Sequence, residues 1–146
     1  MSGAGLKLLA SDVADLEVIA AAAQDALVRA RDLKFDPRAR RFTADVLRFK
    51  WEAAGEHGPY ERVRAALAFD SVLSVKTRKL RRDEGEALAD ILSIKFDADA
   101  EPPGGVARIV LAGDGEIALT VECLDVTLAD LGPSWPTPRK PDHEPA

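Results

Sequence analysis

Little in this chain lends itself to metal or thiol chemistry. Its 146 residues hold one cysteine and two histidines. A single thiol cannot make an internal disulfide, and such cysteine usage gives no sign of an oxidising compartment. Cys123, His57 and His143 are too few and too dispersed for a zinc site. Aromatic residues amount to 5%, which leaves the stacking platform of single-strand nucleic-acid binders without its residues. The longest apolar stretch, Val13 to Ala23, is broken by Asp15 and Glu17. It is too short to span a bilayer and no basic segment precedes it, so neither a membrane span nor a secretory signal is expected. No dinucleotide-binding glycine fingerprint, P-loop, zincin helix or nucleophile elbow occurs, so an enzyme is unsupported and no cofactor is expected.

What remains is the balance of a soluble globular chain, 47% apolar and 31% charged with a net charge of −5. The length suits one domain, able to bury about 70% of its unfolded surface without staples. Residues 1–131 are expected to form that domain. Residues 132–146 hold five of the nine prolines and read as a tail, loosely docked or disordered.

Hydrophobic periodicity supplies the fold class. Leu6, Leu8 and Leu9 suggest a short first strand. Ser11 and Asp12 then supply an N-cap, and Leu16, Ile19, Ala20, Ala23 and Leu27 recur at helical spacing. From Ala30 the period becomes two. Asp36-Pro37-Arg38 is a turn, followed by a strand alternating through Phe42, Ala44 and Val46, whose phase shifts to Leu47, Phe49 and Trp51 as at a β-bulge. Val63, Ala65, Leu67 and Phe69 alternate next, then Leu73, Val75 and Thr77, then Leu92, Ile94 and Phe96. Ala107 to Leu111 and Ile117 to Cys123 flank Ala112-Gly113-Asp114-Gly115-Glu116, the strongest hairpin signal in the chain, and the last strand is expected to run on through Val126 and Leu128. The expected class is α+β: a mostly antiparallel curved sheet or partly open barrel of about six to eight strands, with one N-terminal helix packed on it.

Charge is placed unevenly. Residues 29–82 carry 15 basic and 7 acidic side chains, whereas residues 83–138 carry 2 basic and 12 acidic. The densest basic patch is Lys76, Arg78, Lys79, Arg81 and Arg82, a candidate surface for a partner or an anion. RNA binding there would draw on counterion release, but the missing aromatics and the acidic whole-chain balance oppose it, and cross-strand ion pairs are the plainer reading. Cys123 continues the apolar phase of Ile117, Leu119 and Val121, so a buried small hydrophobe is expected rather than a nucleophile served by His57. Asp97, Asp99 and Glu101 begin like a calcium loop, but Pro102 stands where the turn needs glycine. Glu122 and Asp125 read as wet-face carboxylates as readily as an acid/base pair. Trp135, between two prolines, is either an anchor for a partner or a pin for the tail.

Several stretches together resemble a known family. They are Leu6-Lys7-Leu8-Leu9-Ala10 with Asp15-Leu16, Arg40-Arg41-Phe42, Arg48-Phe49-Lys50-Trp51-Glu52, Val121-Glu122-Cys123-Leu124 and Asp130-Leu131-Gly132-Pro133-Ser134-Trp135. In combination they resemble domain of unknown function 2948, over about residues 6 to 135. The resemblance implies a cytoplasmic protein of an alphaproteobacterium-like source, and it carries no activity with it. Trp51, Cys123 and Trp135 look like recurring members of the pattern, taken as packing. The function expected is a non-enzymatic binding or assembly module acting through a protein partner or self-association. The alternative is a small-ligand site or enzyme in a cavity of the curved sheet.

Overall fold

The computed structural model describes residues 5–80 and 85–141. Strand β1 (Lys7–Ala10) leads into helix α1 (Val13–Ala23), followed by β2 (Leu27–Asp36), β3 (Arg41–Phe49), β4 (Tyr60–Phe69), β5 (Val72–Arg78), β6 (Leu88–Ala98), β7 (Gly105–Leu111), β8 (Gly115–Val121), β9 (Val126–Asp130) and β10 (Trp135–Thr137). All pairings are antiparallel, in the order β1-β9-β4-β3-β2-β6-β7-β8-β5, with β10 beside β4. Among the described strands the sheet does not close. One helix on an unclosed antiparallel sheet is the α+β class expected. Among the described residues no helix is long and apolar enough to cross a membrane.

The strand number is corrected from six to eight up to ten. The excess lies in short strands: β1, β9 and β10 have four, five and three residues, too few to display alternation by themselves. Nor does β8 run on as expected. It ends at Val121, and residues 122–125 carry the chain away from β5, past Ser71 and Asp70, whose backbones bond Glu122 N–H and Asp125 O at 2.9 Å each. Strand β9 then inserts between β1 and β4.

Asp12 caps α1, its carboxylate accepting from the Asp15 N–H at 2.8 Å. Leu16, Ile19 and Ala23 are the buried stripe, set against β1 and β6. The helix stops at Ala23 rather than reaching Leu27. Asp25 turns left-handed (φ +62°), and Asp25 N–H and Ala26 O form backbone bonds with Ile91 at 2.7 and 2.9 Å. A strand bond to β6 wins over a further helical turn. At the other end of the sheet, Gly113 (φ +78°) and Asp114 (φ +66°) form the tight turn between β7 and β8, as the glycine pattern requires.

The inward residues of β3, β4 and β9 share one core with those of β7 and β8. These strands lie far apart in the sheet order, so the sheet must curl to bring them together. Ala44, Val46, Ala65, Leu67, Ile109, Ile117, Leu119 and Leu128 are all at most 1% exposed. Burial of this kind drives the fold at about 25 cal/mol per Å² of apolar surface.

Candidate functional site

The curl leaves a seam. Strand β2 pairs with β6 only through Leu27, Val28 and Arg29. Its register against β3 then slips between Val28 and Leu33, the local irregularity by which a strand bends away from a neighbour. Beyond the slip, Leu33–Asp36 pairs with β3 alone among the described strands. Strand β5, last in the sheet order, pairs with β8 alone among the described strands. The two part-paired strands face each other across a gap of about 450 Å³. Ala30, Leu33, Phe35, Phe42 and Val75 form its apolar lining, with Arg31 and Lys34 as its charged residues. Leu33, Phe35 and Val75 are only partly buried against the core, so the core shows through the seam.

A second feature lies at the other end of β3. Arg48 is 0% exposed. Its Nε and Nη2 grip Asp130 at 2.7 and 2.9 Å, and its Nη1 and Nη2 grip Glu52 at 2.9 and 2.6 Å. With Nη1 also reaching Phe49 O at 3.4 Å, all of its guanidinium N–H groups are used. Asp130 in turn accepts the Leu6 N–H at 2.9 Å and so ties β1 to the cluster. Burial pushes the Asp130 carboxyl up, but the Arg48 and Leu6 hydrogen bonds and the charges of Arg48 and Lys50 outweigh it and hold the group below its ordinary range. Hydrogen bonds from Arg48 likewise lower Glu52, against burial. Burial alone would lower Arg48; its two carboxylates raise it instead. A cleft of about 900 Å³ opens over this cluster, lined among others by Leu6, Lys50, Glu61 and Ser134. Ser134 Oγ donates a hydrogen bond to Glu61 Oε1 at 3.1 Å.

The phase shift expected at Val46 and Leu47 is absent. β3 pairs with β4 in unbroken register from Phe42 to Phe49, and the inward position after Val46 is Arg48. Phe49 is buried on the opposite face under Trp51 and Tyr60, at ring distances of 4.5 and 5.9 Å, with the Arg62 guanidinium 5.8 Å from its centroid. Trp51 fixes this cluster by donating Nε1–H to Gln24 O at 2.9 Å.

The basic patch is only partly described. Lys76, Arg78 and Lys79 are exposed on or just past β5. Arg78 lies 3.5 Å from Asp114 and 3.8 Å from Glu116, and Lys79 lies 3.2 Å from Asp114, pairs that bridge to the β7–β8 turn. Arg81, Arg82 and His143 fall outside the described residues. Trp135 pairs with Arg62 at the start of β10 and is 38% exposed. Cys123 is half-buried rather than buried, with Sγ 3.6 Å from Ser71 Oγ. The reason is that β8 has already ended, so the apolar phase does not reach it. His57 is exposed in the loop before β4. Glu122 pairs with Arg40. Asp97 binds Arg108 at 2.7 Å, and the described residues contain no group of three or more candidate metal ligands.

Sequence reasoning missed Arg48, Asp130 and the seam. A signal for the first two exists: Arg48 follows Phe42, Ala44 and Val46 in phase, and Asp130 follows Val126 and Leu128. Opposite charges at the inward ends of two apolar alternations are a cue for a buried pair. Arg48 and Glu52, Asp130 and Ser134, and Leu6 come from three of the stretches that carry the family resemblance, and all meet at the charged cleft.

Fold and site therefore define a one-helix, curled antiparallel domain with an open seam and a buried guanidinium–carboxylate cluster. Residues 6–143 match the model of the family described as Protein of unknown function (DUF2948), and the chain belongs to that family. No curated protein and no solved structure is matched.

Proposed function

We propose that the protein is a non-enzymatic cytoplasmic binding module that takes up a strand of a partner polypeptide in the seam between β2 and β5. The observation that carries this reading is two strands with incomplete pairing, facing each other across a gap with an apolar floor. A strand edge offers a row of backbone donors and acceptors that a peptide backbone satisfies. The floor, where the core is only partly covered, would gain burial from alternate side chains of the guest. The charged cleft supports binding over catalysis as well. All the guanidinium N–H groups of Arg48 are taken up within the protein, and its two carboxylates are held below their ordinary range, which makes them weaker proton acceptors.

The test is selection of random extended peptides on the whole chain, followed by amide chemical-shift mapping. Selected peptides should perturb residues 33–36 and 72–78. Peptides that map elsewhere, or a selection that yields none, overturn the proposal.

A further inference from the structure

The seam's charge points to the kind of partner. Its charged lining residues, Arg31 and Lys34, are both basic, and among the described residues no acidic side chain lines the gap. Strand β5 adds Lys76 and Arg78 and contains no acidic residue. Arg31 is paired with Glu86 and Arg78 with Asp114 and Glu116. Lys34 and Lys76 have no carboxylate within ion-pair distance among the described residues, which leaves one such lysine on each side of the gap. Resting on the reading above, we infer that the seam takes an acidic, extended polypeptide segment that alternates apolar and carboxylate residues.

The geometry sets the pattern. In an inserted strand, successive side chains point to opposite faces. One set then falls on Leu33, Phe35, Phe42 and Val75. The other set points outward, where Lys76 stands: it lies between Val75 and Thr77, which line the gap, and so projects from the opposite face of β5. Carboxylates in the outward set meet lysine rather than a like charge, Lys76 on one side and Lys34, between Leu33 and Phe35, on the other. A polypeptide is favoured over an RNA because the floor is aliphatic with two phenylalanines already packed on the core, and because strand edges read a peptide backbone rather than stacked bases. A guest about as long as β5, seven residues, fits a strand-for-strand insertion.

The experiment uses the whole chain and two labelled peptides of that length, one alternating Glu with Val and the other Lys with Val, followed by fluorescence anisotropy at low salt. The acidic peptide should bind at least about tenfold more tightly, with amide shifts at residues 33–36 and 72–78. The exposed substitutions Lys34→Glu and Lys76→Glu together should remove that preference or reverse it, while thermal unfolding stays near that of the wild type. Equal binding of both peptides overturns the charge assignment and leaves the seam reading standing. Binding of neither, with peptides found by selection mapping elsewhere, overturns both. A single-stranded RNA that displaces the acidic peptide, or a dimer whose interface shifts are those of the seam, overturns the acidic guest.

Discussion

Replacing Asp130 by alanine tests the buried cluster most directly. The Asp130 side chain is 5% exposed and accepts three bonds, from Arg48 Nε, Arg48 Nη2 and Leu6 N–H. Its removal leaves Arg48 buried with Glu52 as its remaining carboxylate, and Glu52 is half-exposed, at 46%. Breaking a buried ion pair from one side costs about 3–5 kcal/mol. Because Glu52 still neutralises part of the charge, the lower figure applies. At roughly 2–4 °C per kcal/mol for a domain of this size, a loss of about 3 kcal/mol lowers Tm by about 6–12 °C. The single change Arg48→Met should cost a similar amount, since it leaves Asp130 buried with only the Leu6 N–H. Combining Arg48→Met with Asp130→Asn removes both charges and keeps an acceptor for Leu6. That double variant should regain most of the loss, because replacing a buried pair by neutral groups is often close to neutral. Urea denaturation with linear extrapolation of the wild type, Arg48→Met, Asp130→Asn and the double variant gives the four stabilities, and the cycle gives the coupling, expected at about 2 kcal/mol or more. Single variants that each lose under about 1 kcal/mol, or losses that simply add in the double variant, would refute the reasoning.

Three further outcomes follow from the same structure. The carboxylates of Asp130 and Glu52 lie below their ordinary values of 3.8 and 4.5, so their stabilisation is present above those values and is lost as pH falls through the lowered ones. Urea midpoints of the wild type should therefore drop below about pH 4.5 more steeply than those of the Arg48→Met, Asp130→Asn variant. Trp51→Phe removes the Nε1–H bond to Gln24 O while keeping an aromatic ring on Phe49, and should cost about 1 kcal/mol in the same assay. Gly105→Ala would place a Cβ 2.4 Å from Asp97 O and 2.7 Å from Phe96. It should destabilise by about 1–3 kcal/mol through forced backbone movement between β6 and β7, read as a lower Tm.

Local chemistry determined much of this molecule. The Asp12 cap, the Leu16–Ile19–Ala23 stripe, the Asp36 turn and the β7–β8 hairpin need only nearest neighbours in the chain, so periodicity and turn residues reveal them. So does the class, because strands that alternate at hairpin spacing pair antiparallel. Tertiary structure decided the rest. Short β1, β9 and β10 exist because a neighbouring strand completes them, and α1 stops early because β6 offers Asp25 and Ala26 better bonds than another helical turn. Arg48 broke the apolar phase of β3 on paper. In space it sits in phase and buried, since Asp130, 82 residues away, supplies the countercharge that makes its burial tolerable. The seam is likewise invisible in the sequence, because an open edge is defined by the strand that does not arrive, and only the curl of the whole sheet fixes which strand that is.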